Sequence, residues 1–305
     1  MRVSGDWEEY ELIDCSGGER LERWGNIILI RPDPQVIWQT QKKHPLWSAP
    51  HARYKRSPQG GGAWEHYKKI PDAWSILYKD LNFNLKTMGF KHTGVFPEQA
   101  VNWDLLASTI KSSSRRLKVL NLFAYTGAAT LACLKAGASV VHVDAAKGMV
   151  NWAKENAVCS DVAEMQVRWI VDDCIKFVQR EIRRGSVYDI ILMDPPSYGR
   201  GPGGEVWKLE EEIYPLIELC TGLLNENSLM LMVNSYTTGL SPSTVQYILG
   251  ALVAKKIGGT VSGDEIGLPV TASGLILPCG ATSVWYNRVD QTETSAAKTT
   301  TPIKL

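Results

Sequence analysis

The stretch from Val119 to Thr130, VLNLFAYTGAAT, decides the fold of this chain. It begins as an apolar run typical of a buried strand, and an Ala-rich helical segment follows directly after Gly127. A tight turn at this glycine would let the first backbone N–H groups of the helix approach a ligand closely. A dinucleotide site needs the pattern GxGxxG, and this segment has one glycine. We therefore expect a nucleoside cofactor that is uncharged or zwitterionic.

Further strand and helix candidates alternate along the rest of the chain. The strand candidates are residues 117–122, 139–143, 167–171, 189–193 and 229–233. The helix candidates are residues 128–136, 146–156, 175–184 and 209–224. Most of the strands are nearly continuous runs of Val, Ile, Leu and Met, which is typical of strands covered by helices on both faces. The sequence thus predicts the α/β class, with a doubly wound, mostly parallel sheet.

The two ends of the chain have a different texture. A helix near residues 243–256 precedes two strand-like runs, around Ile266 and at 283–287, which predict a terminal antiparallel hairpin. Near the N-terminus, residues 27–31 and 36–40 resemble short strands separated by a Pro-Asp-Pro turn, 51–63 a loop, and 74–85 further strand. We expect a small β-rich unit over residues 1–92, an α/β domain over 93–290 and a disordered tail over 291–305.

Carboxylates stand at the predicted carboxyl ends of three strands. Asp144 comes 17 residues after Gly127, Asp173 follows the third strand, and Asp194 begins the segment Asp-Pro-Pro-Ser-Tyr after the fourth. Each has a structural alternative, since a lone Asp often caps a helix and Pro-Pro can form a rigid turn. Such folds bind ligands at the carboxyl ends of their strands, so the whole set in register favours one ligand site.

The stretch from Lys118 to Asn234 resembles the class I S-adenosylmethionine-dependent methyltransferases. FAYTG resembles their first motif, HVDAAK the ribose-binding acid, DDC the adenine-contacting acid and DPPS the catalytic-loop motif. Within that superfamily the chain is most similar to the bacterial ribosomal RNA large-subunit methyltransferases of the cytosine C5 type. The resemblance implies a Rossmann-like methyltransferase domain over residues 93–290. It also implies S-adenosylmethionine as cofactor, S-adenosylhomocysteine as product, no metal, and RNA as substrate.

The resemblance also implies roles for individual residues. Asp144 would hold the ribose hydroxyls and Asp173 the adenine amino group. The residues expected to bind the cofactor are Phe123, Ala124, Tyr125, Thr126, Gly127, Asp144, Ala145, Asp173, Cys174, Asp194 and Gln99. Those expected at the methyl-transfer site are Asp194, Pro195, Pro196 and Tyr198.

The chain departs from the cytosine C5 enzymes at one position. Those enzymes carry a nucleophilic cysteine just after the fifth strand, where this chain reads Asn234-Ser235-Tyr236. A serine hydroxyl is far less acidic than a thiol, so N-methylation or another mechanism without a cysteine adduct is favoured. Tyr198 would then stack on the flipped base. The glycine-rich segment 199–210, with Arg200, Trp207 and Lys208, is either a substrate loop or a plain surface loop.

A strongly basic stretch lies within the N-terminal unit. The whole chain has a formal net charge of +1, but residues 31–92 contain eleven Lys and Arg against four Asp and Glu. The cations are interleaved with Trp38, Trp47, Trp64 and Trp74, a combination suited to single-stranded RNA. Alternatively, the tryptophans form the core of this unit and the lysines its solvated face.

Bulk properties narrow the other possibilities. The six cysteines are scattered without metal-like spacing, which is typical of reduced thiols in a cytoplasmic protein. No apolar run approaches the roughly 18 residues of a membrane span, and the polar N-terminus does not resemble a signal peptide. The remaining alternatives are a methyltransferase of proteins or small molecules, a nicotinamide-dependent oxidoreductase, and a non-catalytic RNA-binding module.

Overall fold

A computed structural model describes residues 1–57, 61–200, 206–237 and 239–287 of the chain. The predicted tail at 291–305 and the last residues of the predicted α/β domain, 288–290, lie outside the described residues.

The first 92 residues contain eight strands. They are β1 (Arg2–Val3), β2 (Tyr10–Ser16), β3 (Glu19–Trp24), β4 (Ile27–Pro32), β5 (Ala52–Arg56), β6 (Gly62–His66), β7 (Trp74–Tyr78) and β8 (Leu81–Leu85). Strands β2 to β6 form a five-stranded sheet in sequential order, with a parallel pair between β4 and β5, and β7 and β8 form a separate hairpin. The N-terminal region is therefore β-rich, as expected.

The rest of the chain alternates strands and helices. The strands are β9 (Lys118–Leu122), β10 (Ser139–Asp144), β11 (Val167–Val171), β12 (Ile190–Met193), β13 (Tyr198–Arg200), β14 (Val206–Lys208), β15 (Met230–Ser235), β16 (Thr260–Pro269) and β17 (Ile276–Tyr286). The helices are α1 (Ala100–Ser112), α2 (Ala128–Lys135), α3 (Lys147–Cys159), α4 (Cys174–Arg183), α5 (Leu209–Cys220), α6 (Pro242–Leu249) and α7 (Lys255–Ile257). A π-helical turn over Gly250–Ala254 joins α6 to α7, and short 3₁₀ turns occupy Pro45–Ser48, Pro97–Gln99 and Thr221–Leu223.

The main sheet has eight strands in the order β1-β16-β17-β15-β12-β9-β10-β11. The five strands from β15 to β11 run parallel, and β17 pairs antiparallel with both β15 and β16. This confirms the α/β class, the mostly parallel sheet and the terminal hairpin. Strand β1 adds to the outer edge by pairing in parallel with β16, so the first residues of the chain complete the main sheet.

Successive residues of the central strands belong to cores on opposite faces of the sheet. Val119 in β9 packs in one core and Leu120 in the other; Ile190 and Ile191 in β12 divide in the same way. This period of two explains why the strands are apolar at every position. The core that contains Val119 also includes Trp24, Leu29 and Phe83, so the N-terminal β structure shares a core with the α/β part.

Two N-terminal predictions are wrong. Residues 36–40 form no strand, because the carbonyls of Val36 and Trp38 accept hydrogen bonds from Gly18 and Gly17 in the β2–β3 turn. The predicted loop at 51–63 contains β5 and the start of β6 instead. Along β5 the buried Ala52 and Tyr54 alternate with more exposed basic residues, a pattern that its high charge concealed.

Candidate active site

The loop between β9 and α2 has an unusual backbone. Phe123 and Tyr125 have φ values of 54° and 50°, in the left-handed region that residues with a Cβ seldom adopt. Gly127 precedes α2 with φ of 87°, and a Cβ placed there would lie 2.9 Å from the Cβ of Ala153 in α3. A glycine is required at this position both for its conformation and for the close approach of α3.

Asp144, at the end of β10, holds this loop in place. Its Oδ2 accepts a hydrogen bond from the backbone N–H of Tyr125 at 2.8 Å, and its Oδ1 accepts one from Ala146 at 2.8 Å. Burial raises the pKa of Asp144, while the two N–H groups act in the opposite direction. A carboxylate has about four lone-pair sites, so Asp144 can still accept hydrogen bonds from a ligand.

The start of α4 provides the next part of the site. Asp173 is the N-cap of this helix, and its Oδ1 accepts a hydrogen bond from the backbone N–H of Lys176 at 2.9 Å. Asp172 is paired with Arg180. The Sγ of Cys174 accepts a hydrogen bond from the N–H of Phe123 at 3.3 Å, which ties α4 to the β9–α2 loop.

Asp194 follows β12 and carries a carboxylate without a hydrogen-bond partner among the described residues. Burial, together with the nearby carboxylate of Glu98, raises the pKa of Asp194 to about 7. The backbone carbonyl of Pro196 accepts a hydrogen bond from the indole of Trp207 at 2.6 Å, and Trp207 lies 5.4 Å from Phe123 between ring centroids. These two contacts hold the hairpin of β13 and β14 against the Asp-Pro-Pro segment and the β9–α2 loop.

These elements surround a cavity of about 660 Å³, a volume within the range of sites for small molecules and cofactors. The α/β part contributes lining residues from Phe96 to Cys279, and the N-terminal region contributes a second wall. The lining residues from that wall are Arg20, Arg31, Pro32, Asp33, Pro34, Gln35, Lys91 and His92.

Most of the predicted site residues line this cavity. They are Phe123, Tyr125, Asp144, Ala145, Asp173, Cys174, Asp194, Pro195 and Pro196. Trp207, expected on a substrate loop, also lies in the wall. The predicted residues that do not lie in the cavity wall of the described part of the chain are Ala124, Thr126, Gly127, Gln99 and Tyr198.

Thr126 and Gln99 are engaged elsewhere. The hydroxyl of Thr126 donates to the carbonyl of Gly94, on the outer side of the β9–α2 loop. The side chain of Gln99 donates to the hydroxyl of Tyr236 at 2.7 Å and accepts from Asn102 at 2.7 Å. Gln99 is therefore placed to support the cavity wall from behind, through Tyr236.

Tyr198 and Lys208 do not line the described cavity, whereas Gly199 does. Tyr198 is 54% exposed. Lys208 is exposed and paired with Glu211 at 2.7 Å, and the side chain of Arg200 lies outside the described part of the chain.

The sequence analysis missed several residues of the cavity. Glu98 directly precedes Gln99, which was predicted to bind the cofactor. Tyr236 belongs to the Asn-Ser-Tyr segment, where the cytosine C5 enzymes have their cysteine. Arg20 and Lys91 come from the N-terminal region, where no motif marked them. Burial and, to a smaller extent, the positive charge of Arg31 lower the pKa of Lys91 to about 8.

Comparison with known proteins agrees with this geometry. The family model of the S-adenosylmethionine-dependent methyltransferases matches residues 38–234. The chain belongs to this family. The crystal structure of an S-adenosylmethionine-dependent methyltransferase from Agrobacterium tumefaciens is 34% identical, with a TM-score of 0.88 over 94% of this chain and 93% of that one. The predicted family and cofactor are thus confirmed.

Other relatives are more distant or matched in part. A ribosomal RNA large subunit methyltransferase K/L from a Shewanella species is 30% identical over 50% of this chain, and that of Syntrophotalea carbinolica is 24% identical over 60%. The methyltransferase spans only 21% and 25% of their respective lengths. The SMU.776 structure, complexed with S-adenosylhomocysteine, has the same fold at 19% identity, with a TM-score of 0.71 over 92% of this chain and 76% of that one.

The N-terminal tryptophans of the methyltransferase have structural contacts. The indole N–H groups of Trp38, Trp47 and Trp64 donate to the Cys15 carbonyl, the Asp14 carboxylate and the Phe90 carbonyl, at 3.1, 2.8 and 3.2 Å. The indole of Trp74 packs against the shared core. These contacts favour the structural interpretation of the tryptophans.

The basic residues of the same region divide into two groups. Lys42, Arg53 and Lys55 form ion pairs with glutamates. Lys43, Arg56 and Lys69 are exposed and have no ion pair with any described residue. This second group remains available for a polyanion.

The part of the chain that the structure describes contains neither a metal-binding cluster nor a membrane-spanning helix. We find no group of three His, Cys, Asp or Glu side chains arranged to hold a metal ion in that part of the chain. The expected independence of metals stays a prediction. The helices described here also include none with the length and apolarity of a bilayer crossing.

Proposed function

We propose that this enzyme methylates a base of RNA, ribosomal RNA in the first place, at a nitrogen atom and without a covalent cysteine adduct. The observation that carries the proposal is the carboxylate of Asp194. It has no hydrogen-bond or ion-pair partner among the described residues, lines a cavity with aromatic walls and is followed by Pro195 and Pro196. The choice of RNA is supported by the relatives named as ribosomal RNA methyltransferases, at 24–30% identity.

The cofactor would occupy the part of the cavity formed by Asp144, Ala145, Asp173 and Cys174, which we call the nucleoside end. Asp144 accepts hydrogen bonds from the ribose hydroxyls with its remaining lone pairs. Asp173 accepts a hydrogen bond from the adenine amino group while it caps α4. Tyr125 lines the cavity, and its buried hydroxyl has no hydrogen-bond partner in the part of the chain that the structure describes, so it can form a hydrogen bond with the cofactor.

The acceptor would lie at the acceptor end, which consists of Asp194, Glu98 and Tyr236. When bound, S-adenosylmethionine supplies an activated methyl group on sulfur. The protein then has to position the nucleophilic nitrogen and exclude water. Asp194 accepts a hydrogen bond from the amine and receives its proton as the N–C bond forms, a role suited to a carboxylate that titrates near neutral pH.

A cysteine mechanism is disfavoured by the state of the thiols at the cavity. Cys174 and Cys279 line it. Burial raises the pKa of both thiols, and Cys174 is occupied by the Phe123 N–H. Near the end of β15, Asn234 is held by hydrogen bonds to Gln99 and Thr282. A thiol that stays protonated is a poor nucleophile.

We further propose that residues 1–92 form a unit that binds substrate and residues 93–290 the methyltransferase domain, and that the enzyme acts in the cytoplasm. The exposed Lys43, Arg56 and Lys69 would contact phosphates. All six cysteines are free thiols, consistent with a reducing compartment.

The test is transfer of labelled methyl from S-adenosylmethionine to unmodified ribosomal RNA, total RNA, DNA, protein and small-molecule pools side by side. We expect label in RNA that ribonuclease removes and that nucleoside analysis assigns to an N-methylated base. Label that survives ribonuclease, or that appears only in protein or small molecules, would overturn the choice of RNA. A C-methylated base would overturn the choice of nitrogen.

A further inference from the structure

Glu98 is a buried carboxylate with no structural partner on one of its oxygens. It lies in the 3₁₀ turn Pro97–Gln99 ahead of α1, its side chain is 3% exposed, and it lines the cavity. Its Oε2 has no hydrogen-bond partner among the described residues. Leaving a buried carboxylate oxygen unpaired is costly, so this oxygen is expected to meet a hydrogen-bond donor from a ligand.

The surroundings of Glu98 place it at the acceptor end of the cavity. Glu98 lines the same cavity as Asp194, Tyr236 and Cys279, and the next residue, Gln99, donates to the hydroxyl of Tyr236 at 2.7 Å. The charge of Glu98 also raises the pKa of Asp194. The carboxylates at the nucleoside end come from other elements, the ends of β10 and β11. Glu98 thus lies beside the group that we expect to receive the acceptor amine.

Arg20, from the N-terminal sheet, lines the same cavity as Glu98. It lies in β3, lines the cavity, pairs with Asp33 and donates to the Sγ of Cys279 at 3.5 Å. Burial has the largest effect on the pKa of Glu98 and raises it. Among the charged groups, which include Arg31 and Glu22, Arg20 has the largest effect on this pKa and lowers it. Glu98 and Arg20 therefore present a hydrogen-bond acceptor and a guanidinium donor to one ligand.

We propose that Glu98 and Arg20 bind the hydrogen-bonding edge of the acceptor base, with Glu98 accepting from an N–H group and Arg20 donating to a ring nitrogen or carbonyl. This rests on the proposed function. An edge that carries donors and acceptors side by side is a property of nucleobases, whereas an aliphatic amine offers donors alone. The N-terminal sheet would then take part in base recognition through Arg20 as well as in phosphate binding.

The experiment uses the full chain with the RNA that the wild type methylates. Glu98→Leu removes the acceptor oxygens with little change in volume, and Glu98→Gln keeps one. The matched control is Glu181→Gln, which alters a glutamate that is 1% exposed in α4, away from the cavity. Binding of S-adenosylhomocysteine is measured by calorimetry for each variant, and KM for RNA and kcat by labelled transfer.

We expect Glu98→Leu to raise KM for RNA about 10- to 100-fold, as for loss of a hydrogen bond to a charged group, and Glu98→Gln to raise it less. The affinity for S-adenosylhomocysteine should change less than about twofold, and the control should retain its KM. Glu98→Gln should also shift the pH midpoint of kcat downward, because a negative neighbour of Asp194 has been neutralised.

Each other outcome has a distinct meaning. An unchanged KM and pH midpoint in Glu98→Leu, with RNA still methylated, would overturn the role of Glu98 and leave the proposed function standing. Weaker binding of S-adenosylhomocysteine with unchanged KM would assign Glu98 to the cofactor instead. A wild type that labels only protein or small molecules would overturn both proposals.

Discussion

The nucleoside end and the acceptor end of the cavity differ in the hydrogen-bond partners that the described residues give to their carboxylates. Asp144 at the nucleoside end already accepts two backbone N–H groups, and Asp173 accepts one while capping a helix. At the acceptor end Asp194 has no partner among the described residues, and Glu98 has one free oxygen. The first end is thus organised by the fold itself, whereas we propose that the second is completed by its ligand.

This contrast indicates what a substitution at each end should do. A change at the nucleoside end disturbs a backbone structure and is expected to affect folding and cofactor affinity together. A change at the acceptor end removes a group that the folded chain does not need, so chemistry and acceptor binding should suffer while stability is kept. The two ends can therefore be separated by measuring all three quantities on each variant.

The largest effect is expected at Asp194. Asp194→Asn should lower kcat by about 10²–10⁴-fold, because the amide cannot receive the acceptor proton. Affinity for S-adenosylhomocysteine should stay close to that of the wild type. The control Asp172→Asn changes a carboxylate that is paired with Arg180 and lies outside the described cavity wall. If Asp194→Asn retained most of its kcat, Asp194 would have no part in the chemistry.

The next effect concerns the backbone of the nucleoside end. Gly127→Ala should destabilise the protein by about 2–4 kcal/mol, from a left-handed φ of 87° and a Cβ contact of 2.9 Å with Ala153. Gly137→Ala is the matched control, since Gly137 has φ of 101° but nothing within 4 Å of the added Cβ. It should lose only about 1–2 kcal/mol. Denaturant unfolding measures both, and equal losses would show that α3 can move away.

The sequence was informative about the nucleoside end for a physical reason. Its acids follow two neighbouring strands, so the pattern of an apolar run followed by an acid occurs twice at a short interval, at Asp144 and at Asp173. Parallel strands bring their carboxyl ends to one edge, and local order then implies proximity in space. Asp144 and Asp173 were predicted in this way, and both line the cavity.

At the acceptor end the same reasoning predicted Asp194 but not the residues around it. Glu98 and Tyr236 are far apart in the sequence, and Arg20 reaches the same cavity only because the N-terminal sheet packs over the α/β part. Strands β2 and β3 were missed because charged residues at Asp14 and Glu22 are buried, which breaks the apolar pattern on which strand prediction depends. Glu22 is neutralised by Arg31, a pairing that no local pattern reveals.

Asp144→Ala tests the nucleoside end directly. The substitution removes the acceptor for the Tyr125 and Ala146 N–H groups and the proposed ribose contact. We expect the Kd for S-adenosylhomocysteine to rise about 10- to 100-fold, with a lower unfolding midpoint. Calorimetry and denaturant unfolding give the two values. A loss of affinity without any loss of stability would mean that the loop does not depend on Asp144.

The pH dependence tests the acceptor end. Asp194 has to be ionised to accept a proton, and its pKa is raised to about 7 by burial and by the charge of Glu98. It is mostly protonated below that pH, so kcat should rise with pH and level off above about pH 8. The profile is measured with saturating RNA and cofactor. A profile that is flat from about pH 5 to 8 would show that a group other than Asp194 limits the reaction.

The smallest effect is expected at Cys279, which distinguishes a simple acceptor end from one with a covalent step. Its thiol lines the cavity, donates to the Leu277 carbonyl and has a raised pKa because of burial. Cys279→Ser keeps the size and a donor, so kcat should stay within about tenfold of the wild type. A covalent mechanism would instead lose several orders of magnitude, because a serine cannot replace a thiolate without an activating base. Such a loss, with cofactor affinity intact, would show that the nucleophile is Cys279 on β17. This strand pairs with β15, whose end corresponds to the cysteine position of the cytosine C5 enzymes.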